Sequence, residues 1–245
     1  MIFRYVLSKS GGCLTYIFGC TQAGELFVVD PKYDVLNEII KLSEDLGMKI
    51  SYIIDTHTHA DHISGVRKLQ SLTNANIYYS EYSQIKFPSE RIKDGEEIKS
   101  GNVKIKAVYT PGHTPDSMSL LIYDKRRDDS WTEPWSMLTG DTLFVGSVGR
   151  IDINKDNSEE NLYYSLQKIK KFPDYVEIYP SHTSGSVCGL GISGKPSSTI
   201  GFEKRFNKLF KIDNKEEFIK QINQMNLEKS TEFERNIKIN LEGMI

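Results

Sequence analysis

The sequence predicts a layered α/β fold in which each half of the chain gives a β-sheet covered by helices. Three observations carry that expectation. Short apolar runs recur over residues 1–200 and are punctuated by Gly, Pro and Asn turns. Between some of them lie longer stretches with the 3.6-residue apolar spacing of amphipathic helices. His and Asp residues stand directly after apolar runs, at the loop ends of strands.

Phe3 to Ser8, Leu14 to Gly19 and Glu25 to Asp30 read as three short strands, with turns at Gly11-Gly12 and Thr21 to Gly24 and a stop at Pro31. Tyr33 to Leu46 carries an apolar stripe at Val35, Leu36, Ile39, Ile40 and Leu46 and ends at Gly47, so it predicts a helix. The apolar run at Ile50 to Asp55 is a buried strand and Ile63 to Leu72 is helical, which leaves Thr56 to His62 as a tight loop. Ile77 to Ser80 and Val103 to Tyr109 are strands, with hairpin turns marked by Asp94-Gly95 and Ser100-Gly101-Asn102. Ser117 to Tyr123 is an apolar strand, followed by a polar loop from Asp124 to Pro134. For the tryptophans of that region, Trp131 and Trp135, two readings are open: aromatics packed back on the sheet, or an interface or lid. Ser158 to Phe172 is a helix with Leu162, Leu166, Ile169 and Phe172 on one face, capped by Asn157 or Ser158 with acids in its first turn. Tyr175 to Tyr179 is the last strand. After Pro196 the chain turns polar and amphipathic. Thr199 to Phe210, Lys215 to Met225 and Thr231 to Leu241 read as helices, with Asp213 and Thr231 as N-caps. The expectation is one domain over 1–200 with a helical extension, 201–245, packed on it.

Hydrophobic residues make up 38% of the 245, enough for a core, and 26% charged residues is ordinary. A net charge of −2 gives no electrostatic case for nucleic acid or an anionic membrane. No run approaches the ~18 apolar residues needed to cross a bilayer, and Met1 to Leu7 lacks the pattern of a signal peptide. Three cysteines, Cys13, Cys20 and Cys188, do not make a disulfide framework. These features predict a soluble, cytoplasmic protein.

The chain has five histidines. Three fall in Thr56-His57-Thr58-His59-Ala60-Asp61-His62. In an extended loop His57, His59 and Asp61 share a side, because side chains repeat every two residues, and His62 turns away as the helix begins. His113 stands in Thr110-Pro111-Gly112-His113-Thr114 and His182 in Pro180-Ser181-His182-Thr183. Asp141 stands between them in Thr139-Gly140-Asp141-Thr142. A histidine taken singly is more often a satisfied core or surface residue than a ligand. Five at strand ends with two aspartates leave none for ordinary duty. Imidazole with carboxylate is a usual donor set for zinc and iron.

The HxHxDH loop, TPGHT, TGDTLF and PSH pieces, with the strand ending at Asp30 and an early β-hairpin, resemble the metallo-β-lactamase superfamily over roughly residues 1–200. The resemblance implies an αββα sandwich with the site along one edge. It implies a first metal set of His57, His59 and His113 and a second of Asp61, His62 and His182, bridged by Asp141. Two zinc ions so held activate water for hydrolysis.

The surrounding residues are similar to the persulfide dioxygenase (sulfur dioxygenase) branch. They are Thr110 to Leu120, Gly140 to Arg150, and Gly185 to Gly189 with Ser197 to Gly201. The last pair resembles members fused to a rhodanese; residues 201–245 hold no cysteine for one. That branch implies one Fe(II) per chain, bound by His57, His113 and Asp141 as the catalytic set, a two-histidine, one-carboxylate triad. His59, Asp61, His62 and His182 then orient ligands and hold water, or form a second metal site. The implied reaction oxidises a low-molecular-weight thiol persulfide with O2 to sulfite and free thiol. Arg150 and Cys188 are candidate substrate contacts, for a carboxylate and for sulfur. Beside these stand the bland readings of a structural arginine and a small buried thiol. Glutathione-using relatives carry a tyrosine soon after the last histidine. Here stand Thr183, Ser184 and Gly185, so glutathione, coenzyme A and cysteine all stay open. The expected partners are the persulfide, O2, a separate sulfurtransferase and a second copy of the chain. The alternative is a dinuclear zinc hydrolase of the glyoxalase II (hydroxyacylglutathione hydrolase) type, whose C-terminal lysine, arginine and tyrosine contacts are not identifiable here. A non-catalytic metal-binding module is the third reading.

Overall fold

The structure, a computed structural model, describes residues 1–153, 157–225, 227–228 and 230–244. Strands β1 (Ile2–Leu7), β2 (Leu14–Cys20), β3 (Glu25–Val29), β4 (Lys49–Ile54), β5 (Asn76–Ser80) and β6 (Glu90–Ile92) form one sheet in sequence order. The first three are antiparallel, and β3 to β6 pair in parallel. Helix α1 (Leu36–Leu46) connects β3 to β4, and α2 (Val66–Thr73) connects β4 to β5. The second sheet contains β7 (Glu97–Ser100), β8 (Val103–Tyr109), β9 (Met118–Asp124) and β10 (Ser136–Gly140). A small hairpin, β11 (Leu143–Phe144) with β12 (Ser147–Val148), and α3 (Ser158–Lys170) then lead to β13 (Glu177–Pro180) and β14 (Ser198–Thr199). The order across this sheet is β14-β13-β10-β9-β8-β7. Helices α4 (Ile200–Phe206), α5 (Lys215–Ile222) and α6 (Phe233–Glu242) follow.

Alternation along the buried strands sends side chains to two different cores, as expected for sheets covered on both faces. On β2 and β3, Ile17, Leu26 and Val28 face α1 and α2, where they meet Ile39, Val66 and Leu69. Their neighbours Tyr16, Phe18, Phe27 and Val29 face the second sheet and meet Val103, Ile105, Leu120 and Ile122. The second sheet repeats the device. Leu121, Met137 and Ile178 point outward, against Leu162, Leu166 and Ile169 of α3 and Phe218 and Ile222 of α5. Each such side chain contributes roughly 1.5–3 kcal/mol of burial. The result is the αββα sandwich that the sequence predicts.

Local differences have local causes. Helix α2 begins at Val66, not Ile63, so Ile63, Ser64 and Gly65 stay in the loop with His62. Gly47 ends α1 in the left-handed conformation (φ 61°). Asn214, not Asp213, caps α5, accepting from Glu217 N at 2.8 Å. Thr199 caps α4, and α6 begins after Glu232 without a side-chain cap, so Thr231 has no such role. Trp131 and Trp135 pack against cations of their own surface, Lys104 and Arg127 respectively. Among the described residues no helix is long and apolar enough to cross a membrane.

Candidate metal centre

The five histidines and two aspartates converge where strand ends of the two sheets meet. Thr56 N donates to Asp30 Oδ1 (2.7 Å), tying the end of β4 to that of β3. Across the sandwich, Leu14 N donates to Ser181 O (2.8 Å) and Ser181 N to Gly140 O (3.0 Å), which brings the His182 turn beside β2 and β10. Gly149 approaches the Asp141 carbonyl so closely that a Cβ there would stand 1.9 Å from it. Gly112 (φ 140°) lets the His113 loop lie on Leu162 of α3, where any Cβ would clash at 2.5 Å.

Asp141 divides the site. Its Oδ2 faces His113 Nε2 at 3.3 Å and His57 Nε2 at 3.8 Å. Its Oδ1 lies 2.8 Å from His182 Nδ1. His182 Nε2 in turn lies 3.0 Å from Asp61 Oδ2, and His62 Nδ1 lies 3.0 Å from Asp61 Oδ1. One group is therefore His57, His113 and Asp141; the other is Asp61, His62 and His182, with Cys13 Sγ 3.7 Å from Asp61 Oδ2. His59 stands apart, its Nε2 3.4 Å from Asp30 Oδ1 and 3.7 Å from Asp55 Oδ1.

The protonation tendencies follow this division. Burial, with neighbouring His59, holds the pKa of His57 well below the ordinary value, and burial lowers that of His113. For His62, burial opposes the proton, but the Asp61 carboxylate outweighs it and raises the pKa to about 9. His182 is raised well above the ordinary range against the same burial, by Asp141 and Asp61. For Asp30, burial pushes upward, yet hydrogen bonding and charge from His59 bring it down to about 2.

Hydrogen bonds fix the tautomers of the first group. Thr56 Oγ1 gives its one proton to Asp30 Oδ2 (2.9 Å), so at 2.9 Å from His57 Nδ1 it acts as acceptor. His113 Nδ1 lies 2.9 Å from the Arg150 carbonyl, which only accepts. Both rings thus keep a lone pair on Nε2. Among the described residues, the buried side-chain atoms without hydrogen-bond partners include His57 Nε2, His59 Nδ1, His62 Nε2, His113 Nε2 and Asp141 Oδ2. Orphaned buried polar atoms are costly one by one, and His57 Nε2, His113 Nε2 and Asp141 Oδ2, gathered in one group, fit a bound cation.

Several supporting residues escape sequence reasoning. Asp116 accepts from Thr58 N (3.1 Å), Thr58 Oγ1 (2.6 Å) and Thr114 Oγ1 (2.7 Å), joining two ligand loops. Asn240 of α6 donates to His59 O (2.8 Å) and His62 O (2.9 Å) and accepts from Ser64 N (2.9 Å). Asn236 donates to Ala60 O (2.9 Å). The C-terminal helix thus holds the metal loop from the far end of the chain. Asp30 and Asp55 were findable, as acids directly after apolar runs. The two asparagines carry no such signal.

Arg150 is 1% exposed, and its guanidinium reaches inward protein partners. Nε and Nη2 donate to Asp152 (2.6 and 2.8 Å), Nη1 to the carbonyls of Val187 and Glu228, and Nη2 to that of Leu227. With all five N–H groups so placed, this geometry gives the side chain a structural task and leaves no donor for a substrate carboxylate. Cys188 lies with Phe144 and Ile192 in a small apolar cluster, close to Asp141 and His182. Burial, then the two acids Asp61 and Asp141, push its pKa well above the usual thiol value.

The profile of the metallo-beta-lactamase superfamily matches residues 10–87. A probable polyketide biosynthesis zinc-dependent hydrolase, BaeB, of Bacillus velezensis is 30% identical over 86% of this chain and 87% of its own length. The chain belongs to the metallo-β-lactamase superfamily. Within this superfamily, the mitochondrial persulfide dioxygenase ETHE1 of Bos taurus is 27% identical over 98% of this chain and 88% of its own. A hydroxyacylglutathione hydrolase of Francisella tularensis subsp. novicida is 35% identical over 74% and 67%. The crystal structure of a metallo-beta-lactamase from Staphylococcus aureus subsp. aureus COL covers 100% of this chain and 73% of that one, at 32% identity and a TM-score of 0.91. That of ETHE1 from Myxococcus xanthus covers 98% of each, at 27% identity and a TM-score of 0.85.

Proposed function

We propose that this superfamily member is a non-haem iron persulfide dioxygenase, carrying out R-S-SH + O2 + H2O → R-SH + SO3(2−) + 2 H+. The observation that carries the reading is the division at Asp141. One of its oxygens faces two neutral imidazoles, while the other holds His182. His57, His113 and Asp141 would then hold Fe(II), with Asp61, His62 and His182 as a separate group. Iron so held would supply the one-electron and O2 chemistry that zinc lacks. Similarity to the two ETHE1 proteins over 98% of this chain supports the same branch.

The chain's own residues prepare that site. Thr56 and the Arg150 carbonyl present both Nε2 lone pairs in one direction. The three ligands are buried, which excludes bulk water from the reacting atoms. A cavity of about 340 Å³ adjoins them at Thr58 and Thr114, the neighbours of His57 and His113. Ile153, Ile237 and Leu241 give it apolar walls, and Tyr82, Gln84 and Asp116 polar ones. Among the described residues its lining holds no lysine or arginine. A persulfide arriving as its anion needs no general base, so each histidine is available to hold metal or its neighbours.

The second reading, a dinuclear zinc thioester hydrolase, is favoured by the second donor group itself and by the zinc-dependent and hydroxyacylglutathione hydrolase relatives. The deciding experiment measures oxygen uptake by iron-loaded protein with glutathione, cysteine and coenzyme A persulfides, beside hydrolysis of S-lactoylglutathione. The expected result is oxygen uptake, with sulfite formed in equal amount. Hydrolysis without oxygen uptake on any persulfide overturns the proposal.

A further inference from the structure

The cavity beside the His57–His113–Asp141 set has a polarity of its own. Among its described lining residues the one charged side chain belongs to Asp116, which is 4% exposed. Thr58 and Thr114, the residues after His57 and His113, both donate to it. Thr58 N (3.1 Å) and Oγ1 (2.6 Å) reach Oδ2, and Thr114 Oγ1 (2.7 Å) reaches Oδ1. A carboxylate offers about four lone-pair positions, so one is left over, on Oδ1. All three donors are neutral and bring no counter-charge. A buried carboxylate that meets no cation among the described residues is costly, and a cationic group on a ligand relieves that cost.

The neighbours of Asp116 suit an ammonium. Tyr82 lines the same cavity, half exposed, and its ring stacks on that of Tyr109 with centroids 4.2 Å apart. The Tyr109 hydroxyl donates to Pro115 O at 2.7 Å, which fixes the stacked pair to the residue before Asp116. An aromatic face and a carboxylate attract the same charge, so the two together cradle a protonated amine. Gln84 adds an amide whose oxygen can accept a further N–H. Ile237 and Leu241 of α6 supply apolar surface for the methylenes between amine and sulfur. A carrier with an anionic end would meet Asp116 as a like charge.

We propose that this cavity selects an aminothiol carrier, one with a protonated amine near its sulfur, and that Asp116 Oδ1 and the Tyr82 ring hold the ammonium. Asp116 is tied to the residue after each of two histidines in the proposed metal set, so a group held by it stays close to the reacting sulfur. The inference rests on the persulfide reading for the fate of the sulfur, and on Asp116 and Tyr82 alone for the carrier.

The test measures, by anaerobic calorimetry on the metal-loaded full chain, the binding of thiols that share one stem and differ at its end: cysteamine, 2-mercaptoethanol and 3-mercaptopropionate. Cysteamine should bind roughly 10-fold or more tightly than 2-mercaptoethanol, as a hydrogen bond to a charged group allows, and 3-mercaptopropionate most weakly. Asp116→Asn should erase most of the ratio between the first two. Each thiol has the same intrinsic acidity whichever variant it meets, and the ratio is read within one variant, so a general loosening of the loops cancels. Tyr82→Leu, which touches neither ligand loop, should lower the ratio about 3-fold. It decides the matter if circular dichroism finds Asp116→Asn unfolded. No preference for cysteamine in the wild-type chain overturns the proposal, and so does a ratio that survives Asp116→Asn. Oxygen uptake on the corresponding persulfides is read apart from binding. Uptake without an amine preference retires this inference alone, while an amine preference without uptake upholds it and retires the dioxygenase reading.

Discussion

Thr56 shows how one small side chain sets the chemistry of a ligand. Its hydroxyl spends its only proton on Asp30 and so must accept from His57 Nδ1, which aims the Nε2 lone pair at Asp141 Oδ2. Thr56→Val keeps the shape and removes both bonds. The expected outcome is a folded protein whose iron affinity falls roughly 10–100-fold, measured by competition with a chelator. The proposed direct ligands weigh more: on that reading His57→Ala, His113→Ala and Asp141→Ala should abolish iron retention, whereas His182→Ala should leave much of it, as elemental analysis after anaerobic purification would read. Arg150→Lys tests a different claim. Lysine cannot reproduce the guanidinium fork, so about 3 kcal/mol of stability should be lost through the freed carbonyls, a melting point lower by roughly 10 °C. The KM for persulfide should hardly move. A large rise in KM with unchanged melting would restore Arg150 as a substrate contact. The clustered donors are legible in the sequence because imidazoles and acids after apolar runs have few other reasons to gather. The partners that orient them were not, because a threonine or a main-chain carbonyl has no signature outside the fold.

Helix α6 is the element whose position the sequence least discloses. Its polar, amphipathic pattern announced a helix near 231–241, and the helix is there, at Phe233–Glu242. Nothing in that pattern said that it crosses back to the first half of the chain, where Lys86 N donates to Leu241 O at 2.7 Å. Its destination depends on Asn236 and Asn240, whose amides match main-chain groups of the metal loop some 176 to 181 residues earlier in sequence. Strands, by contrast, were visible wherever alternation was strong, as in β8, and missed where only two or three residues pair, as in β6, β11 and β12. Because Asn240 saturates three backbone groups, Asn240→Leu strands two carbonyls and one N–H in a buried place. A loss of about 3 kcal/mol is expected, with weaker metal binding. Asn240→Asp keeps the acceptor for Ser64 N but loses both donors, so it should rescue little. Normal metal affinity in a folded Asn240→Leu chain would show that the loop holds itself.

At the scale of the whole molecule, the layers and the metal centre are separable. Three apolar cores lie under α1 and α2, between the sheets, and under α3 and α5, and none contains a metal donor. The sequence could announce these layers because buried strands and amphipathic helices alternate along it. It could not announce the stitching between sheets, which runs through backbone groups such as Leu14 N to Ser181 O. The separation has a measurable consequence. Small domains that fold around zinc unfold when it is removed, since binding supplies their folding free energy. Here burial already supplies it, and a cation only adds the linkage contribution of a ligand that prefers the folded state. At a free metal concentration about 1,000 times its Kd, that contribution is about 4 kcal/mol, worth roughly 10 °C in melting temperature for a chain of this size. Chelation should therefore lower the melting temperature by about that amount and leave the far-ultraviolet circular dichroism unchanged at 25 °C. The loss should be larger at higher prior metal concentration and should reverse on adding metal back. Acidification should mimic chelation, because metal competes with protons for the same imidazoles and carboxylates. Loss of secondary structure on chelation at 25 °C would mean that the metal centre, not the three cores, holds the two sheets together.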